Sequence, residues 1–184
     1  MTRDLLVTGI GELATNAPRS PDLVGVVREA AVAVRAGRVA WAGPVADLPG
    51  RFEDLARFDV GGRAVVPGFV DAHTHLVFGG DRADEFCRRL RGESYEGILA
   101  SGGGIHATVA ATRAASFDDL VAGGTERAWR MLRCGTTTVE AKSGYGLDVA
   151  TEVKILEAVR RVGERVPLDV VPTFLGAHVV AREM

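Results

Sequence analysis

Three of the four histidines in the sequence stand where predicted strands end, and two of them form the run His73-Thr74-His75. Residues i and i+2 of a strand point to the same face, so both imidazoles can reach one ion while Thr74 faces away. Neutral imidazole is the commonest zinc ligand and also suits iron. The pair therefore predicts a metal site. His178 follows another predicted strand, where it is a third ligand, a substrate-contacting acid or base, or a capping residue.

Two further side chains are suited to binding a small acidic substrate. Arg82 follows shortly after His75, and a guanidinium can hold a carboxylate with two parallel hydrogen bonds. The alternative is a surface arginine. Tyr145 lies between two glycines, so a turn presents its ring, and we expect a ligand contact there.

Three other polar residues near these positions remain undecided from the sequence. Glu140 and Lys142 at a strand end could form a buried pair, contact a ligand or face solvent. His106 follows the run Gly102-Gly103-Gly104-Ile105, and we expect it to be an exposed loop or helix-start residue. The glycine run lacks the spacing of a phosphate-binding fingerprint, which indicates a loop that passes close to the site.

The elements that must position these side chains alternate between strand and helix from about residue 63 onward. Such alternation predicts βα units and a parallel sheet, in which the ligand site lies at the carboxyl ends of the strands. Helix caps are expected at Ser116 and Asp148. The predicted strands cover residues 65–73, 136–141 and 168–175, and the predicted helices cover residues 117–133 and 151–166.

Residues 1–62 differ from the rest, because short β-favouring runs dominate them. Residues 30–42 hold two such runs around Ala36-Gly37, which predicts a hairpin. Residues 5–8 and 58–60 can supply further short strands. We therefore expect a small β-rich unit at 1–62 and a separate α/β unit at 63–184.

Composition excludes several classes of protein. The 184 residues are 47% hydrophobic and 25% charged, with a net charge of −2, so a disordered tail or a nucleic-acid partner is not expected. No signal peptide or membrane span is visible, and a cytoplasmic location is the default expectation. Cys87 and Cys134 lack metal-binding spacing and are predicted to be buried, reduced thiols.

Four stretches carry a resemblance to known proteins. Residues 67–75, Pro-Gly-Phe-Val-Asp-Ala-His-Thr-His, resemble the first barrel strand of the amidohydrolase superfamily. Residues 73–82, 140–147 and 173–178 resemble, more narrowly, the imidazolonepropionase family. The resemblance implies a (β/α)8 TIM barrel with an attached β-sandwich. The chain is then expected to be an α/β protein that holds the first three βα units of an incomplete barrel, preceded by a small β-sandwich segment.

The same resemblance implies an activity, the hydrolytic opening of 4-imidazolone-5-propanoate to N-formimidoyl-L-glutamate in histidine degradation. It implies that His73 and His75 bind one Zn²⁺ or Fe³⁺ ion and that His178 contacts the reacting ring. It also implies that Arg82 and Tyr145, with Tyr95 beside them, bind the substrate.

The remaining metal ligands of the family, a histidine and an aspartate, come from barrel strands five and eight, beyond the strands expected here. Activity is therefore expected only if a C-terminal half completes the chain. The alternatives are a non-catalytic fragment, or another cyclic-amide hydrolase or deaminase of the superfamily. We also expect a small-molecule substrate, a homodimer and no membrane partner.

Overall fold

A computed structural model of the protein describes residues 4–17 and 22–181. The chain divides into two compact units, Met1–Pro67 and Gly68–Met184. Residues 1–3 and 18–21 of the expected β-rich unit lie outside the described residues. The division follows Pro67, not residue 62, because Val65 still pairs with Leu13 of the first sheet.

The first unit is a five-stranded sheet with the order β3-β2-β1-β4, and β5 also pairs with β1. The predicted hairpin is confirmed: β2 and β3 are antiparallel, and Ala36 and Gly37 both have positive φ, 50° and 74°, as in the two-residue turns that suit strand twist. Leu6 and Ile10 of β1 are buried in its core. The strands are β1 Leu5–Ala14, β2 Val26–Arg35, β3 Arg38–Pro44, β4 Arg57–Asp59 and β5 Ala64–Val65.

The second unit is built on a three-stranded parallel sheet with the order β6-β7-β8, which confirms the α/β class and the parallel pairing. Its core is apolar and lies between the sheet and the helices α4 and α5, where Val139, Ile155 and Val159 are fully buried. The strands are β6 Phe69–Thr74, β7 Thr136–Lys142 and β8 Asp169–Thr173; the helices are α1 Ala83–Leu90, α2 Tyr95–Ala100, α3 Ile105–Ala114, α4 Phe117–Arg133 and α5 Val149–Gly163.

The prediction of one strand over residues 65–73 was wrong, because two strands share that stretch. Ala64–Val65 pairs with β1 of the first unit, whereas Phe69–Thr74 pairs with β7 of the second. Pro67 separates them, and proline has no N–H to continue a ladder of hydrogen bonds. A continuous apolar run thus served two sheets.

Three helices were not predicted, and one predicted helix is shorter than expected. Helix α1 does carry an apolar stripe at helical spacing, and this signal was missed, although none of the stripe's residues is buried. The stripe consists of Ala83, Phe86, Cys87 and Leu90. Helix α2 is only six residues long and buries only Ile98, so it is too short to show such a stripe. Helix α5 ends at Gly163, not at Val166, because glycine is a poor helix former. Val166 still reaches the core, with 6% exposure.

The two cysteines correct another expectation, since Cys87 and Cys134 are both exposed free thiols. Cys87 lies in α1, which packs no side chain into the core, and Cys134 follows the last turn of α4. None of the helices in the described parts of the chain has the length and hydrophobicity of a membrane span.

The predicted helix caps are confirmed. The Ser116 hydroxyl accepts a hydrogen bond from the N–H of Asp119, at 3.1 Å, at the start of α4. Asp148 accepts the N–H of Thr151 at 2.8 Å at the start of α5. The Asp148 carboxylate also lies 3.1 Å from the Arg113 guanidinium. These bonds satisfy backbone donors that no helical carbonyl can reach.

We predict that Asp148→Ala lowers the free energy of unfolding by about 1 kcal/mol, the usual cost of losing an N-cap. The bond from the Thr151 N–H lowers the pKa of Asp148, so its contribution is full above the pKa of an unfolded aspartate and is lost as the pH falls through the lower folded value. Urea titrations at pH 7 and at pH 3 measure both effects. Asp118→Ala, which removes an exposed first-turn carboxylate of α4, is the matched control, and an equal loss for both variants would contradict the capping role.

Candidate active site

The two histidines of the predicted metal pair lie at the carboxyl end of β6. His73 is exposed in the strand and His75 is half-buried just after it. Their ring centroids are 6.5 Å apart. Between them, the Thr74 hydroxyl donates to the Glu140 carbonyl of β7 at 2.7 Å, which ties the ends of the two strands together. Thr74 therefore fixes the edge of the sheet from which both imidazoles project.

The loop after β7 brings Tyr145 against His75. Their rings are stacked, with centroids 4.3 Å apart and an interplanar angle of 28°. Burial raises the pKa of the Tyr145 hydroxyl, while the charge of Arg82 opposes that rise. Tyr145 therefore stays a neutral phenol that can both donate and accept a hydrogen bond.

His178, beyond the end of β8, completes an aromatic cluster with His75 and Tyr145. Its ring is stacked on His75 at 4.8 Å between centroids and lies 5.5 Å from Tyr145. His178 Nδ1 lies 3.1 Å from the Gly144 carbonyl oxygen. A carbonyl only accepts, so this bond places the proton on Nδ1 and leaves Nε2 as the nitrogen that can take a proton from a ligand.

A cavity of about 230 Å³ opens beside this cluster, and Arg82 and Tyr145 both line it. The Arg82 Nε donates to the Glu85 carboxylate at 2.9 Å, so the two terminal guanidinium nitrogens are the ones that can hold a ligand's carboxylate. The other carboxylate oxygen of Glu85 accepts the N–H of Gly104 at 2.8 Å. Glu85 thus ties the arginine to the glycine run that was expected to pass near the site. The remaining lining residues are Phe78, Asp81 and Thr108.

The other residues singled out in the sequence are not among those that line this cavity. Tyr95 begins α2, is 53% exposed and is not among the residues that line the cavity. His106 lies in the first turn of α3, as expected, but it is partly buried and not exposed. Lys142 and Glu140 form a mostly buried ion pair, with 16% and 19% of their side chains exposed. The bond from Lys142 lowers the pKa of Glu140.

Arg127 of α4, which the sequence did not single out, contacts Phe78, one of the residues that line the cavity. Its guanidinium donates to the carbonyls of Leu76 and Phe78 at 3.0 and 3.1 Å and lies 3.7 Å from the centroid of the Phe78 ring. Burial lowers its pKa. In the sequence Arg127 is one of several arginines in an amphipathic helix, so no local signal sets it apart.

The donors present fit part of a metal site. His75 Nδ1 is buried and has no hydrogen-bond partner in the described part of the chain. Burial, followed by the nearby charges of His178 and His73, lowers the pKa of His75, which favours the neutral imidazole that binds metal ions. Within residues 4–17 and 22–181, no group of three or more His, Cys, Asp or Glu side chains could hold an ion. An ion held by His73 and His75 would need further ligands.

The chain is similar to several known proteins. No family model matches the chain. The chain is 52% identical over 172 residues to an imidazolonepropionase of Acidiphilium cryptum, covering 94% of this chain and 42% of that protein. It is 50% identical over 188 residues to an imidazolonepropionase of Symbiobacterium thermophilum, covering 98% of this chain and 44% of that protein.

Two solved structures show the fold. Guanine deaminase of E. coli has a TM-score of 0.55 at 15% identity, covering 98% of this chain and 39% of that one. A mutant of atrazine chlorohydrolase from Arthrobacter aurescens, complexed with zinc and atraton, has a TM-score of 0.53 at 15% identity, with coverages of 92% and 35%. The chain therefore shares the fold of these two structures. The sequence identity shows that the chain belongs to the imidazolonepropionase family. The chain spans less than half the length of the Acidiphilium and Symbiobacterium relatives.

We predict that Arg127→Met lowers the free energy of unfolding by about 2 to 3 kcal/mol, because hydrogen bonds from a charged donor to two carbonyls are lost while the apolar stem remains. Arg130→Met on the same helix removes the guanidinium of a side chain that is 69% exposed and is expected to cost less than about 0.5 kcal/mol. Urea denaturation compares the two variants. Equal, small losses would show that Arg127 does not hold the Phe78 segment in place.

Proposed function

We propose that this chain provides the substrate-binding side and two metal ligands of an imidazolonepropionase, which hydrolyses 4-imidazolone-5-propanoate to N-formimidoyl-L-glutamate. The activity is proposed for a protein that carries this chain together with the further length found in its relatives. The observation that supports it most directly is that Arg82 and Tyr145 line one cavity beside the stacked rings of His75 and His178.

The proposed architecture is the first three βα units of a (β/α)8 barrel in the second unit, Gly68–Met184, preceded by part of a β-sandwich in the first unit, Met1–Pro67. Its support is the parallel order β6-β7-β8, with the site at the carboxyl ends of the strands, where barrel enzymes of this type place their chemistry.

Substrate binding is assigned to the cavity. The terminal nitrogens of Arg82 would hold the propionate carboxylate in a bidentate pair, while Glu85 fixes the guanidinium through Nε. The aromatic face of Tyr145 and the edge of Phe78 would pack against the imidazolone ring. Tyr95 is proposed only as an outer neighbour, because its hydroxyl lies near Gly104 and Tyr95 is not among the residues that line the cavity.

The metal is proposed as one Zn²⁺ or Fe³⁺ ion, held by His73 and His75 with further ligands from outside the described residues. When bound, such an ion lowers the pKa of water toward about 7 and polarises a carbonyl. The chain's own contribution at the reacting atoms is His178, whose Nε2 would hold or transfer the proton. In the overall reaction the water oxygen bonds to the ring carbonyl carbon, the bond from that carbon to the ring nitrogen breaks, and the nitrogen takes the proton.

The cytoplasmic location and the homodimer expected from the sequence stay predictions. A small-molecule substrate is the partner that the cavity favours, since its lining pairs one guanidinium with aromatic rings.

The substrate assignment is tested with Arg82→Ala in the enzyme at the length of its relatives. We expect KM for 4-imidazolone-5-propanoate to rise by about 30-fold or more, which corresponds to about 2 kcal/mol, because a carboxylate partner is lost. Arg91→Ala, another exposed arginine nearby, serves as the control and should leave KM unchanged. Unchanged KM in the Arg82 variant, or equal turnover of a cyclic amide that lacks the propionate, would favour a different cyclic-amide hydrolase.

The metal assignment is tested by metal analysis of the purified enzyme. We expect His73→Ala and His75→Ala each to weaken metal binding by about tenfold or more, since even residues that only support a ligand typically cost tenfold. His106→Ala, a histidine in the first turn of α3, is the matched control and should keep the wild-type content. Full metal content in both variants of the pair would exclude them as ligands, and the element found distinguishes zinc from iron.

A further inference from the structure

Glu152 is a charged residue buried in the second unit that the proposed chemistry does not use. It lies in the first turn of α5 and is 2% exposed. Its carboxylate accepts three backbone N–H groups, from Gly144 at 2.7 Å, from Gly146 at 2.7 Å and from Leu147 at 2.8 Å. Burying a carboxylate is costly unless such bonds replace its hydration. One side chain therefore holds the whole loop at residues 144–147.

The loop cannot hold this shape by ordinary secondary structure. Gly144 and Leu147 have positive φ, 112° and 56°, so successive N–H groups turn inward instead of joining a ladder. A Cβ at Gly146 would lie 3.0 Å from the Glu152 Oε1 and 2.7 Å from its backbone nitrogen. The glycines thus let the backbone approach the carboxylate, and the carboxylate supplies the acceptors that the loop lacks.

Two proposed site residues depend on this loop. Tyr145 lies between the two glycines whose N–H groups Glu152 accepts, so the direction of its ring follows from those bonds. The carbonyl of Gly144, whose N–H is held by Glu152, accepts the bond from His178 Nδ1 at 3.1 Å. The same carboxylate therefore sets the position of the phenol and, through the single residue Gly144, the tautomer of His178.

We infer that Glu152 is the positioning residue of the substrate side: its buried carboxylate fixes residues 144–147 so that Tyr145 and His178 present the correct groups to the ring. The inference rests on the proposed function for the roles of Tyr145 and His178. It predicts that Glu152 affects turnover without touching substrate.

The test compares Glu152→Gln with Glu157→Gln in the metal-loaded enzyme at the length of its relatives. Glu157 is an exposed glutamate on the same helix. Glutamine replaces one acceptor with an N–H₂ group that faces a backbone donor. We expect kcat/KM to fall by about tenfold or more in Glu152→Gln and to stay unchanged in Glu157→Gln. A wild-type kcat/KM in Glu152→Gln would overturn the inference.

Hydrogen exchange separates positioning from general stability and needs no substrate. In Glu152→Gln the amides of residues 144–147 should lose protection by about tenfold or more, while those of α4 and β7 keep theirs. Protection that falls equally everywhere would assign Glu152 to fold stability alone. If the wild-type enzyme does not hydrolyse 4-imidazolone-5-propanoate, the proposed function fails, and the exchange result still decides whether Glu152 holds the loop.

A milder variant keeps the inference open to refutation if Glu152→Gln does not fold. Glu152→Asp retains the charge but shortens its reach, and it is combined with Tyr145→Ala in a double-mutant cycle. We expect Glu152→Asp to lower kcat/KM by about threefold or more in the presence of Tyr145 and by less in its absence. Equal losses in both backgrounds would show that Glu152 does not act through Tyr145.

Discussion

The arrangement of the candidate site depends on the parallel pairing of β6, β7 and β8. Parallel strands end at the same edge of a sheet, and the connections that return the chain keep that edge free for loops. His75, Tyr145 and His178 are distant in sequence, yet their ring centroids lie 4.3 to 5.5 Å apart. The Thr74 bond to the Glu140 carbonyl fixes the first strand end against the second.

In the loops that follow the strands, buried or partly buried charged side chains form hydrogen bonds with backbone groups and so fix the path of the chain. Glu152 accepts the N–H groups of the loop that carries Tyr145, and Arg127 donates to the carbonyls on either side of Val77. Lys154 donates to the carbonyls of Thr112, Arg113 and Ala115 at the end of α3. Each charge satisfies several backbone groups at once, which offsets the cost of its partial or complete burial.

The positioning of the site by strand ends and by charged side chains agrees with the proposed chemistry. A substrate with an acidic chain and a polar ring needs a fixed cation, a flat surface and a proton carrier at set distances, and catalysis is sensitive to small displacements of such groups. Arg82 is held by Glu85, and the loop of Tyr145 is held by Glu152. The proposed ligand-binding groups are therefore positioned by carboxylates that are not among the residues lining the cavity.

The sequence by itself determined the alternation of strands and helices, the caps at Ser116 and Asp148, the hairpin at Ala36-Gly37 and the family. These features are local, since each depends on residue types within a few positions or on long runs of matching residues. Tertiary structure decided that Ala64–Val65 pairs with β1 whereas Phe69–Thr74 pairs with β7. It also decided the exposure of the two cysteines and the contacts of Glu152 and Arg127. The carbonyls that Arg127 binds are 49 and 51 residues away. The N–H groups that Glu152 accepts are only five to eight residues away, but they reach it because the loop folds back over the start of α5, and residue types alone reveal neither arrangement.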